Sequence, residues 1–102
     1  MRFFSTIKRP YPLLSGALLA IGACESAPPV QEMSDARQAI EVARQAGAAD
    51  YAEPELVKAL RYLEEAELEL DSEHYAKARR NALEARSKAL EARAVSDSAG
   101  PH

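Results

Sequence analysis

The chain has no tryptophan, one cysteine and two histidines among its 102 residues, and it has no glycine-rich stretch. Each shortage excludes something. The single cysteine, Cys24, has no partner for an internal disulfide. His74 and His102 have no cysteine or second histidine at ligand spacing, so both read as surface residues and no metal site is expected. No Gly-rich loop is present to cradle a phosphate, and no serine sits in the strand–turn–helix setting of an activated nucleophile. No apolar run reaches the about 20 residues that a stable membrane-spanning helix needs. These absences argue against an enzyme, and no cofactor is expected.

What is present begins at the N-terminus. Arg2, Lys8 and Arg9 form a basic region, and Leu13 to Ala23 follows without a charge, rich in Leu, Ala and Gly. This is the layout of a secretory signal. It closes on Ile21-Gly22-Ala23-Cys24. Small Gly22 and Ala23 let the backbone enter a peptidase cleft, and a cysteine thiolate is a nucleophile able to accept a diacylglyceryl group. The pattern resembles the bacterial lipoprotein signal of the type II signal peptidase pathway. That resemblance implies cleavage between Ala23 and Cys24, with a thioether-linked diacylglycerol and an N-acyl group on Cys24. An ordinary signal peptide with a stray cysteine, or an uncleaved anchor, are the competing readings. Each acyl CH₂ buried in lipid contributes about 0.8 kcal/mol, so three chains would hold the protein on a membrane almost permanently. Glu25 stands where inner-membrane retention in enterobacterial lipoproteins typically uses Asp. This favours the periplasmic face of the outer membrane over retention at the inner one.

Three of the 13 basic side chains lie in residues 1–23, so the remaining 79 residues carry 10 basic against 16 acidic side chains, a net charge of −6. Nucleic acid is therefore an unsuitable partner. A domain of this size buries only about 60% of its unfolded surface and gains from a tether, a partner or self-association. Beyond Cys24, Pro28-Pro29 favours an extended segment, and residues 24–33 read as a tether. The expected fold is all-α, a three-helix arrangement over residues 34–95 with coiled-coil-like packing.

The first helix is expected at about 35–46, capped by Ser34 and ended by Gly47. The second is expected at about 54–70, opened by Pro54, with Leu56, Ala59, Leu60, Leu63, Ala66 and Leu70 on its apolar face. Val57 and Leu68 fall off that face, and either broaden it or stay partly exposed. The third is expected at about 73–95, capped from Asp71-Ser72. Tyr75, Ala78, Ala82, Ala85, Ala89 and Ala92 alternate steps of three and four along it, the spacing of a coiled-coil seam. Ala76, Leu83 and Leu90 form a second line, which offers contact to a second neighbour. Residues 96–102 show no pattern and read as a disordered tail. The second and third helices form an antiparallel hairpin, with the first packed across it. Glu64, Glu65, Glu67, Glu69, Asp71 and Glu73 are expected beside Lys77, Arg79 and Arg80, and Glu73–Lys77 and Glu84–Lys88 are spaced as i, i+4 pairs.

Ser34-Asp35-Ala36-Arg37, Gly47-Ala48-Ala49, Tyr51-Ala52, Pro54-Glu55-Leu56 and Tyr75-x-x-Ala78 together resemble an uncharacterised, domain-of-unknown-function family of small helical bacterial lipoproteins. In some relatives this module precedes an OmpA-like peptidoglycan-binding domain; the 102 residues hold no such domain, so direct attachment to the cell wall is not expected of them. The family implies no catalytic residues. Tyr75-x-x-Ala78 also resembles part of a tetratricopeptide unit, with no second copy at a 34-residue period.

Arg79, Arg86 and Arg93 recur every seven residues beside the alanine seam. They are a candidate docking row for an acidic helix or a polyanion, or else the flank of a coiled coil, their stems on apolar surface and their heads paired with glutamate. The expected function is that of a membrane-anchored helical interaction or scaffold module in the bacterial envelope. Its partners would be the membrane, through the anchor, and an envelope protein or a second copy. The alternative is a structural spacer that self-associates and contacts peptidoglycan. A covalent wall anchor of the Braun-lipoprotein kind uses a C-terminal Lys, and this chain ends Ala99-Gly100-Pro101-His102.

Overall fold

A computed structural model describes residues 27–100. The signal segment, Ala23, Cys24 and His102 lie outside the described residues. Four helices follow one another: α1 (Val30–Gln45), the one-turn α2 (Ala48–Tyr51), α3 (Glu53–Asp71) and α4 (Tyr75–Ala99). The fold is all-α, and the expected hairpin is α3 with α4. Met33, Ala66 and Ala82 cluster at one end of the bundle, and Ala43, Leu56, Ala59 and Ala92 share the core towards the other. Thus α1 runs up, α3 down and α4 up, and α1 lies parallel to α4.

The alanine seam holds this arrangement together. Ala78, Ala82, Ala85, Ala89 and Ala92 are all fully buried. Side chains this small bring helix axes towards about 8 Å instead of about 10 Å. The bulk comes from α1 and α3, through Met33, Ile40 and Leu56, with Leu60, Leu63 and Leu70 at the margins. Fully burying one such large side chain contributes about 1.5–3 kcal/mol. Val57 and Leu68 are exposed, so of the two readings their spacing allows they stay outside the core and do not broaden it.

The helix bounds differ from expectation at both ends. α1 starts at Val30 instead of Asp35, so the last residues of the supposed tether are helical. The prolines do not prevent this, because they precede the first turn, where a missing N–H costs nothing. The Pro29 carbonyl accepts the Met33 N–H at 3.0 Å, and Met33 is buried. Burying that side chain rewards the extra turn. Ser34 is an exposed residue within the helix, not its cap. At the other end, α4 runs through residues expected to be a tail. Ser96 extends the three-four spacing one step beyond Ala92, is 1% exposed, and donates its hydroxyl to the Ala92 carbonyl at 2.8 Å. The hydroxyl is satisfied within the helix, so Ser96 packs as a small residue.

Gly47 takes the left-handed conformation after α1, at φ 94°. A Cβ there would meet the Tyr51 ring at 3.1 Å. Tyr51 in turn lies against Gly100, so α2 closes the end of α4. The α3–α4 turn is a Schellman motif with a glutamate in place of the usual glycine. The His74 N–H bonds the Glu69 carbonyl at 2.8 Å and the Glu73 N–H bonds the Leu70 carbonyl at 3.0 Å, while Glu73 sits at φ 64°. The third helix therefore starts two residues later than expected, and no side chain caps it.

Candidate docking surface

α4 presents its alanine seam to both α1 and α3. The second line, Ala76, Leu83 and Leu90, consequently contacts neither as a core element. Leu83 is 48% exposed and Leu90 43% exposed. α4 does meet two neighbours, but both α1 and α3 pack on the one seam, because its alanines leave room for both.

The arginine row lies on the α1 side of α4. Arg79 donates to Glu32 of α1 at 3.3 Å, with both side chains about 29% exposed. It also reaches the Ala27 carbonyl at 3.4 Å, a long contact. Arg86 and Arg93 line a shallow groove between α1 and α4 with Asp35, Val42 and Leu90. Arg93 also pairs with Asp97 at 3.5 Å. The Arg79 end of the row, at the start of α4, is thus a flank tying α4 to α1, while Arg93 pairs within α4 itself. Arg86 makes no ion pair among the described residues. Sequence reasoning missed Glu32 as the partner of Arg79, because Glu32 was assigned to the tether.

The expected charge pairing between the late part of α3 and the start of α4 takes another form. Glu67 pairs with Arg37 of α1 at 3.1 Å, and Glu69 with His74 at 2.8 Å. Lys88 reaches Glu91 at 3.5 Å instead of Glu84. In the left-handed turn Glu73 lies outside α4, so the expected Glu73–Lys77 helical pair does not form. The α3–α4 hairpin has its own outer groove of about 480 Å³, lined by Lys58, Arg61, Tyr62, Glu65, Asn81 and Lys88. It is open, and no hydrogen-bonded array converges in it. Among the described residues no cluster of three or more metal-ligating side chains occurs, and no helix is long and apolar enough to cross a membrane.

The geometry therefore offers surfaces for contact: an apolar line on the outside of α4 and a row of cations beside it. The family described as "Domain of unknown function (DUF4398)" matches residues 31–100. No curated protein and no solved structure matches the chain. The chain belongs to the DUF4398 family.

Proposed function

We propose that this DUF4398 chain is a lipid-anchored envelope lipoprotein whose bundle is a helical protein-interaction or scaffold module. It is held on the periplasmic face of the bacterial outer membrane through Cys24. The observation that carries the anchor is the run Ile21-Gly22-Ala23-Cys24, closing an uncharged segment behind Arg2, Lys8 and Arg9. The likeness to small envelope lipoproteins, some of which precede an OmpA-like domain, supports the same compartment. The interaction role is supported by α4, whose outward Leu83 and Leu90 serve no core. A helical face of this kind docks another helix through side chains at heptad spacing. A self-associating spacer that contacts peptidoglycan is the second reading. The seven-residue repetition of the outward line favours it, since a repeated line can pair with itself.

Only five residues separate Cys24 from Val30, where α1 starts. The bundle would therefore stand close to the lipid surface, with the α3–α4 turn at its membrane end. Metabolic labelling with a clickable fatty acid tests the anchor. Wild-type chain should take the label and sediment with membranes; Cys24→Ser should lose the label and be released or mis-sorted. Undiminished label on Cys24→Ser would refute the anchor.

A further inference from the structure

The outward line of α4 is half of a coiled-coil repeat. Ala76, Leu83 and Leu90 recur every seven residues, and Arg80, Ser87 and Ala94 fall between and after them at steps of four and three. All six are exposed. With the first three at d and the second three at a, Arg79, Arg86 and Arg93 fall at g, and Lys77, Glu84 and Glu91 at e. Leu83 points away from the bundle, since it and the fully buried Ala85 are two residues, about 200°, apart around the helix, while Leu90 sits at the rim of the groove beside α1.

We infer that this face of α4 pairs in parallel and in register with the same face of a second copy. Charge complementarity selects both occupant and direction. In a parallel pair, g of one heptad faces e of the next heptad on the other helix. Arg79 then faces Glu84 of the second copy, and Arg86 faces its Glu91. By symmetry the two contacts occur twice. Arg93 faces Ser98, and Lys77 has no g residue before it within α4, so no like charges meet along the flanks; the one like-charge contact is at a, where Arg80 meets Arg80 of the second copy, which costs stability while fixing the register. In an antiparallel pair g faces g and e faces e, which sets arginine against arginine. Arg86 and Glu84 make no ion pair within the chain among the described residues. Glu91 is held only by exposed Lys88. Arg79 can share its charge with Glu32 at the edge. α1 borders the arginine flank of this face, where Arg86, Leu90 and Arg93 rim its groove, while the fully buried seam that holds α1 and α3 is turned away from it.

The direction deepens the proposed function, and in that respect rests on it. Two chains anchored at Cys24 in one membrane have their α4 helices parallel. Two leucines per copy make a modest interface, and confinement to a membrane raises the effective concentration at which the copies meet. Rim charges of this kind choose partner and register more than they add affinity.

Cysteine scanning of the full-length chain in its native membranes tests the pairing. Ala76→Cys, Leu83→Cys and Leu90→Cys are made singly, with Lys58→Cys on exposed α3 as a collision control, and each is oxidised with copper phenanthroline. Parallel pairing predicts a disulfide homodimer at all three α4 positions, several-fold stronger than at Lys58. Arg86→Glu should reduce the Leu83→Cys dimer several-fold, and adding Glu91→Arg should restore it. Dimer at Leu83 alone would indicate an antiparallel pair and overturn the inference. So would yields at all three positions no higher than at Lys58. The parent chain separates this from the anchor: a parent that dimerises through Cys24 has a free thiol and refutes lipidation. The scan is then read in a Cys24→Ser background, where parallel pairing still requires three dimers.

Discussion

Glu73 occupies a position that glycine usually fills. Its φ of 64° places a Cβ in the left-handed region, where an L side chain costs roughly 1 kcal/mol. The two Schellman hydrogen bonds around it hold the turn regardless. Glu73→Gly should therefore stabilise the protein by about 0.5–1 kcal/mol. For so small a domain that is a rise of several degrees in the melting midpoint followed by far-UV circular dichroism. An unchanged or lower midpoint would show that the glutamate contributes something the backbone does not reveal. Ala85 is the opposite case. It is fully buried in the seam, so Ala85→Glu places an unpaired carboxylate between closely packed helices. The expected cost is several kcal/mol, enough to unfold a marginal bundle. A variant that melts like wild type would contradict the seam. The exposed Arg37–Glu67 pair is worth little by comparison, and Glu67→Ala should shift stability by less than about 1 kcal/mol in the same melt.

Among the elements, α4 carries the bundle, and its last turn is part of the fold. Ser96 is buried and Gly100 lies against Tyr51. Deleting residues 96–102 should lower stability by roughly 1–3 kcal/mol, as losses of buried packing commonly do. A truncated chain with an unshifted midpoint would mean that this segment behaves as a tail. Much of the element order was legible in the sequence. The three-four spacing of Ala78, Ala82, Ala85, Ala89 and Ala92 marks the buried side of α4, and Gly47 marks the end of α1. What the pattern did not reveal has physical causes. Ser96 continues the seam with a polar residue whose hydroxyl bonds its own helix, so a search for apolar positions stops at Ala92. Pro28-Pro29 reads as a helix block, yet it sits just outside the first turn, and the buried Met33 extends α1 back to meet it. Glu73 reads as a helix opener because left-handed glutamate leaves no trace in composition. The outward line was legible as well. Its lack of a neighbour was not, because only packing shows that one alanine seam accommodates two helices.

Taken whole, the molecule is a short bundle with two different ends. The start of α1 and the α3–α4 turn share one end; α2 and the end of α4 form the other. α4, with 25 residues, spans roughly 37 Å between them. Anchored at Cys24, the bundle would hold its outward α4 face side-on above the membrane, where neighbouring copies or other envelope proteins can reach it. Net charge matters at this scale too. The excess of acidic side chains beyond residue 23 disfavours anionic headgroups, so membrane residence of the proposed kind would have to come from the lipid anchor and not from surface attraction. Photo-crosslinking in intact cells tests whether this face contacts protein, with a photoreactive residue at Leu83 or Arg86 and mass spectrometry of the adducts. Discrete protein adducts are expected at these positions, with the same chain among them, and none at Lys58 on the far groove. Adducts confined to lipid and wall polymer would contradict that contact.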